Sequence, residues 1–147
     1  MGWMMLWAFL DKLFGLGFST AAEKSWLQGG SPTFGFLKAA TAGPFAAFYQ
    51  SIAGNPLVDW LFMLGLLLIG TALILGIGMK IAGYSGALLM VLMWTAHLPP
   101  AQNPLLDEHI IYILIFLGFT TVKAGQWFGL GKWWVKTGLV KKSPFLE

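Results

Sequence analysis

Long apolar runs with few charges dominate the chain. Residues 60–79 contain no charged side chain, and after Lys80 a second uncharged run covers residues 81–96. An α-helix rises 1.5 Å per residue, so about 20 apolar residues match the roughly 30 Å hydrocarbon layer of a bilayer. The pattern therefore predicts membrane-spanning helices over residues 56–77 and 81–97, joined by a short turn.

Two more apolar stretches predict two further spans. Residues 1–18 are apolar apart from Asp11 and Lys12, and residues 105–127 carry polar groups only near their ends. A cleaved signal peptide competes as an interpretation of the first stretch, but that stretch lacks a basic beginning and has charges near its centre. The sequence thus predicts one all-α membrane domain, residues 1–147, built as a four-transmembrane-helix bundle.

The connection between the first two spans, residues 19–55, is long and is predicted to be structured. Glycine and proline interrupt it at residues 29–32 and again at Gly43 and Pro44. Apolar residues between and after these breaks recur at helical spacing, which is typical of short amphipathic helices on a membrane surface. Such a loop forms either a lid over an outer cavity or an ordinary packing element at the interface.

The distribution of lysine predicts the orientation of the bundle. Lys24 and Lys38 lie in the long loop, while the turn after the second span and the basic tail, residues 128–147, share five others: Lys80, Lys132, Lys136, Lys141 and Lys142. By the positive-inside rule, both termini are cytoplasmic and the long loop faces outward. Trp60 and Trp94 then fall at the outer boundary, where indole rings are favoured. The predicted location is the cytoplasmic membrane, crossed several times.

Composition supports a membrane protein and excludes several function classes. Hydrophobic residues make up 57% of the chain and charged ones 10%, against about 25% charged in soluble domains. The chain has no cysteine, which excludes disulfides, thiol chemistry and thiolate metal sites. It also has no arginine, so the sequence predicts no nucleic-acid partner. The predicted partner is the lipid bilayer.

Most side chains capable of chemistry fall at the outer end of the predicted bundle. They belong to the first turn of the second span, the end of the third and the start of the fourth: Asp59, His97, Asp107, Glu108 and His109. Asp11 and Lys12 lie within the first span, where an ionisable pair faces protein or water. We expect an outward-opening polar pocket in which Lys12 pairs with Asp59, Asp107 or Glu108.

Less specific interpretations compete with a ligand pocket. An ion pair of Lys12 can simply fix the register of the helices, and the two histidines can bond lipid headgroups or water. As metal ligands, His97 and His109 lack a helical spacing such as His-x-x-x-His, so we predict no metal site. Trp94, near the end of the third span, completes the candidate substrate-binding residues.

Several segments resemble the DoxX/DoxD family of small membrane proteins. They are residues 9–18 (FLDKLFGLGF), the turn Gly30-Ser31-Pro32-Thr33, the glycine-rich residues 64–78, and residues 90–96. The resemblance implies a four-helix membrane protein that serves as the membrane subunit of an oxidoreductase complex. The best-defined role in the family is in thiosulfate:quinone oxidoreductase, which passes electrons from a sulfur compound to quinone. Lys12, with its neighbour Asp11, matches a position associated with the family.

The resemblance and the polar residues together give a functional hypothesis. The candidate catalytic residues are Lys12, Asp11, His97 and Glu108, and the candidate substrate-binding residues are Lys12, Asp59, Asp107, His109 and Trp94. Lys12 attracts an anionic sulfur compound or a quinone head, and the histidine and the acids handle protons. We expect no built-in cofactor, a bound quinone as ligand, and another subunit or a second copy of the chain as partner.

A non-enzymatic function is the alternative. In that case the chain is a membrane scaffold, or a quinone- or lipid-binding module, that anchors a partner protein. The lack of cysteine and of a cofactor motif is consistent with this alternative. The basic, aromatic tail suits anchoring to the inner leaflet or docking of a partner.

Overall fold

The structure, a computed structural model, describes residues 1–100, 103 and 106–147, and these residues form helices without β-strands. The α-helices, in chain order, are α1 (Gly2–Phe14), α2 (Ala46–Ser51), α3 (Pro56–Leu75), α4 (Met79–Ala96), α5 (Glu108–Thr121), α6 (Ala124–Trp127), α7 (Gly131–Trp134) and α8 (Gly138–Lys142). The predicted start of the fourth span, Leu105, lies outside the described residues. The all-helical prediction is confirmed for the part of the chain that the structure describes.

Two of the helices are long and apolar enough to cross a membrane. They are α3, with 20 residues, and α4, with 18, and they match the second and third predicted spans. Helix α5 is apolar but has only 14 residues. By length and composition, the described residues therefore hold two candidate membrane spans.

Helix α1 is shorter than the predicted first span, which extends to Phe18. It ends at Phe14 because Gly15 adopts a left-handed conformation, with φ of 67°, and donates its N–H to the carbonyl of Asp11. Glycine takes this conformation without steric cost and commonly ends helices in this way. The last four residues of the predicted span thus belong to the loop.

The start of α3 follows from local sequence. The side chain of Asn55 accepts a hydrogen bond from the backbone N–H of Leu57 at 2.9 Å, and Pro56 occupies the first helical position, where no N–H is needed. At its other end, Gly76 adopts a left-handed conformation and turns the chain towards α4. A Cβ atom on Gly76 would lie 2.8 Å from Cα of Gly125, so the turn has no room for a larger residue.

Helices α1, α3, α4 and α5 pack side by side in that order, each antiparallel to its neighbour. Gly2 of α1 lies against Gly70 of α3, near the far end of that helix. We call the end of the bundle where α3 and α5 begin and α4 ends the loop end, and the opposite end, with the α3–α4 turn, the tail end. Glycine allows the close backbone approach at these crossings.

The core of the bundle is formed by residues of α1, α3, α4 and α5, and Phe116 is its largest fully buried side chain. Phe116 of α5 has no exposed surface, and its ring fills a recess above Gly86 of α4. Gly83, one turn away, faces the Phe116 carbonyl and Thr120. Small residues on one helix thus accommodate a large residue on the next, and methionine and leucine side chains of α1, α3 and α4 complete this core.

The tail folds back onto the tail end of the bundle. The backbone N–H of Leu130 donates to the carbonyl of Leu75, the last residue of α3, at 2.7 Å. The carboxylate of Glu147 forms ion pairs with Lys123 at 3.1 Å and with Lys80 at 3.6 Å. We call these two ion pairs the tail latch. They connect the end of the chain to α4 and to the segment after α5.

We expect Gly83→Ala to destabilise the bundle by about 1–3 kcal/mol, the range for overpacking. Its Cβ would lie 2.7 Å from the Phe116 carbonyl oxygen, which belongs to the backbone and cannot rotate away. The measurement is thermal unfolding of the full chain in mild detergent. Gly65→Ala is the control, because its Cβ meets open space; it should be neutral or stabilising by up to about 1 kcal/mol. Equal unfolding temperatures for the two variants would contradict the packing described here.

We expect the tail latch to lose its stabilising effect in acid. The hydrogen bond from Lys123 holds the pKa of the Glu147 carboxyl below its ordinary value of 4.5. Because the pKa is lower in the folded state, the stabilisation is complete above pH 4.5 and is lost as the pH falls through the lowered pKa. Thermal unfolding of wild type and Glu147→Gln should therefore differ near neutral pH and converge as the pH falls through the lowered pKa of Glu147. A difference that persists unchanged in acid would show that Glu147 acts by packing and not by charge.

Candidate functional site

An open cavity of about 700 Å³ lies at the loop end, where α4 ends and α5 begins. Four of the predicted site residues line it: His97, Asp107, Glu108 and His109. Phe36 of the long loop and Ile111 of α5 contribute apolar walls. The structure thus brings these four predicted residues of the third and fourth spans together.

Asp107 positions His109 in the cavity wall. Its carboxylate caps the start of α5 by accepting the backbone N–H of His109 at 3.0 Å and that of Ile110 at 3.4 Å. The second carboxylate oxygen lies 2.8 Å from Nδ1 of the His109 ring. A carboxylate can only accept, so Nδ1 carries a proton, and in a neutral ring the lone pair is on Nε2. The pair resembles the carboxylate–histidine arrangement that orients catalytic imidazoles.

His97 is held by the long loop. Its Nδ1 lies 2.9 Å from the backbone carbonyl of Ala40 and donates to it, because a carbonyl only accepts. A second bond, from the N–H of Ala42 to the carbonyl of Ala96, fixes the same part of the loop at 3.1 Å. Within the described residues, Nε2 of neither histidine forms a hydrogen bond. Both rings therefore have a nitrogen available to a ligand.

The cavity can support acid–base chemistry and hydrogen bonding. Imidazole is the side chain that exchanges protons most readily near neutral pH, and Glu108 adds a carboxylate at the same wall. Among the described residues, no group of three or more histidine and acidic side chains is arranged to hold a metal ion. The arrangement suits a ligand that exchanges protons or presents polar oxygen atoms, with an apolar part against Phe36 and Ile111.

The carboxylate of Asp11, a candidate catalytic residue, forms its hydrogen bonds with the loop that follows α1. It is 1% exposed and accepts three hydrogen bonds: from the N–H of Phe18 at 3.1 Å, from the N–H of Ser19 at 3.0 Å and from the Ser19 hydroxyl at 2.6 Å. These bonds turn the chain back over the end of α1. Asp11 is not among the residues that line the cavity.

Asp59, a candidate substrate-binding residue, binds the turn at Ser31 and Thr33. One carboxylate oxygen accepts the Ser31 hydroxyl at 2.9 Å, the Thr33 N–H at 3.2 Å and the Thr33 hydroxyl. The side chain is 6% exposed and lies in the first turn of α3. Sequence reasoning missed these donors, although the hydroxyl residues beside the glycine turn were a visible signal for them.

Lys12 does not form the predicted pair with Asp59, Asp107 or Glu108. Its ammonium group lies 3.3 Å from the Ser19 hydroxyl, and no ion pair among the described residues includes it. That pairing is wrong because Asp59 is bound by loop hydroxyls and Asp107 by His109. Lys12 thus lies beside the loop and not on the cavity wall.

Trp94 is close to the cavity in sequence but does not line it. Its indole Nε1 is buried and has no hydrogen-bond partner within the described part of the chain. Trp60 is half exposed and packs edge-on against Trp26 of the loop, with ring centroids 4.6 Å apart. The candidate role of Trp94 in substrate binding remains a prediction.

Comparison of the chain with protein-family models, with curated proteins and with solved structures finds no match in any of the three.

We expect Asp11→Ala to lower the free energy of unfolding by about 3 kcal/mol, because it leaves three donors of the loop without their acceptor. Thermal or denaturant unfolding of the full chain in detergent measures the change. Glu23→Ala is the matched control, since Glu23 is exposed and forms no ion pair among the described residues. If the two variants were equally stable, the hydrogen bonds of Asp11 would not hold the loop.

Proposed function

We propose that the chain is a multi-pass membrane protein whose loop-end cavity binds the head of a quinone, and that it serves as the membrane subunit of an oxidoreductase complex of the DoxX/DoxD type. The observation that carries the proposal is the cavity wall formed by His97, Asp107, Glu108 and His109. The link to a sulfur compound as electron donor comes from the resemblance described above.

The outward faces of the helices support a bilayer location. Large apolar side chains are exposed along each long helix: Leu57, Leu61, Leu64 and Leu68 on α3, Tyr84, Leu88 and Leu92 on α4, and Ile111, Leu114 and Ile115 on α5. Continuous apolar surface of this kind is rare on soluble monomers and matches lipid. In the proposed topology, α1 and α5 are the remaining two of four spans, and the bilayer thins locally around these shorter helices.

The proposed orientation has the tail end at the cytoplasmic face. Lys80 and the lysines of the tail lie at that end, and Lys24 and Lys38 lie in the loop. The bias follows the positive-inside rule. The cavity then opens at the outer face of the cytoplasmic membrane.

The cavity offers what quinone reduction needs from a protein. A quinone becomes a quinol by taking up two electrons and two protons. The electrons come from oxidation of the sulfur compound, for which the proposal requires a partner subunit. Nε2 of His97 or His109 accepts in the neutral ring and donates a hydrogen bond or a proton to a quinone oxygen only when the ring is protonated, and Asp107 holds the His109 ring through Nδ1. Phe36 and Ile111 supply apolar contacts for the ring.

A non-enzymatic module is the second candidate function. It uses the same cavity to bind a quinone or a lipid and anchors a partner without electron transfer. The lack of cysteine favours it, because the chain has no thiol on which to form a covalent sulfur intermediate. The two functions differ in turnover: both predict quinone binding, but only the first predicts reduction when the sulfur compound is added.

We expect His109→Gln to weaken binding of a short-chain quinone about tenfold, because the variant loses a proton-donating ring held by Asp107. Titration of the purified full chain in detergent, followed by quenching of tryptophan fluorescence, measures the affinity. Lys24→Gln is the control, since it introduces the same residue at an exposed site of the loop. Unchanged affinity in His109→Gln would remove the cavity as the quinone site.

Lys12→Met tests whether Lys12 attracts an anionic sulfur compound. If Lys12 has that role, thiosulfate-dependent quinone reduction by the intact complex falls, and KM for thiosulfate rises more than kcat changes. Quinone affinity should stay at the wild-type value, because Lys12 does not line the cavity. Equal rates for wild type and variant would end the catalytic role of Lys12.

A further inference from the structure

The tail and helix α6, which directly precedes it, present a second surface that the cavity does not use. Helix α6 packs on the α3–α4 turn, where Gly125 lies against Gly76, and Gly131 of α7 lies in turn against Gly125. Helices α6, α7 and α8 and the residues between them expose five large apolar side chains: Trp127, Phe128, Leu130, Trp133 and Leu139. We call this set the apolar tail face.

The exposure of the apolar tail face is extreme for such residues. Trp127 is 78% and Phe128 89% exposed, although both belong to a segment held in place by the bundle. The bond between Leu130 and Leu75, the tail latch, and a 2.6 Å bond from the Trp134 indole N–H to the Leu146 carbonyl fix this segment. The aromatic side chains are thus presented by an ordered scaffold and need a partner.

Four lysines accompany the apolar tail face. Lys132, Lys136, Lys141 and Lys142 are all exposed. No ion pair or hydrogen bond of their side chains occurs within the described residues, whereas Lys80 and Lys123 are engaged by Glu147. The tail therefore combines four positive charges available to a partner with exposed indole and phenyl rings. A complementary partner therefore has a negatively charged surface layer and an apolar layer directly below it.

We infer that the tail is a binding surface for anionic phospholipids at the membrane face next to the tail end. Its lysines contact the phosphates, and its aromatic rings insert at the boundary between headgroups and acyl chains. Tryptophan favours this depth, and lysine is attracted by the negative surface of the cytoplasmic leaflet. The inference rests on the membrane location proposed above, but it does not depend on the chemistry of the cavity.

The test compares lipid preference in two matched double variants of the full chain. The protein, purified in mild detergent, is mixed with phosphatidylglycerol or with phosphatidylcholine of the same acyl chains, and bound lipids are counted by native mass spectrometry. One variant is Lys132→Gln with Lys136→Gln, and the control is Lys24→Gln with Lys38→Gln at the loop end. Both variants remove two exposed lysines and introduce the same residue.

We expect wild type to bind phosphatidylglycerol more strongly than phosphatidylcholine. In the tail variant the ratio of the two affinities should fall by up to about 25-fold, which is about fivefold for each lysine removed. The control should keep the wild-type preference, and added salt should reduce the preference of wild type. Lys132→Arg with Lys136→Arg should restore it, because the charge is kept. Trp127→Ala with Phe128→Ala should weaken binding of both lipids and leave their ratio unchanged.

Three results would overturn the inference. They are the absence of a preference in wild type, an equal loss in the tail variant and the loop-end control, and a tail variant that keeps its lipid preference but loses a co-purifying protein. The last result would make the tail face a protein interface. Extraction with alkaline carbonate tests the membrane location separately, and quinone titration of the tail variant, expected to match wild type, separates this surface from the cavity.

Discussion

Two buried carboxylates, Asp11 and Asp59, determine how the long loop meets the helix bundle. A carboxylate without donors in an apolar interior costs several kcal/mol, and in this protein the donors come from the loop. Ser19 and the N–H of Phe18 serve Asp11, while Ser31 and Thr33 serve Asp59. The acids thus bind the first part of the loop at two points, over the end of α1 and over the start of α3.

The cavity is a consequence of that arrangement. With its first part held by the two acids, the loop continues to the end of α4 and contacts it through Ala40 and His97. A small buried cluster of Leu37, Tyr49 and Ala96 completes this contact. The junction between α4 and α5 remains open, and the His109–Asp107 pair lies there because Asp107 caps α5. Helix capping and the histidine orientation therefore share one carboxylate.

The sequence allowed the helices to be predicted better than the partners of the polar residues. Apolar runs are long-range signals that identify α3 and α4, and Asn55 with Pro56 marks the start of α3 correctly. The predicted end of the first span was wrong because one glycine conformation, at Gly15, stops the helix. Pattern alone gives no distances, so the pairing of Lys12 with an acid was inferred from charge. Loop hydroxyls of Ser31 and Thr33 occupy the Asp59 carboxylate instead, and the His109 ring occupies that of Asp107. The grouping of His97 with residues 107–109 was predicted correctly, because α4 ends and α5 begins at the same end of the bundle. These four residues therefore line one cavity.

The hydrogen bond from the N–H of Leu130 to the carbonyl of Leu75 makes the tail a cap for the last turn of α3. The last carbonyls of a helix have no partner within it, and here a residue 55 positions further along the chain satisfies one of them. Removing the tail by truncation therefore also uncaps α3 and frees the turn at Gly76. A shortened chain changes both the surface chemistry and the integrity of the hairpin, so single substitutions on exposed residues are the way to separate the two.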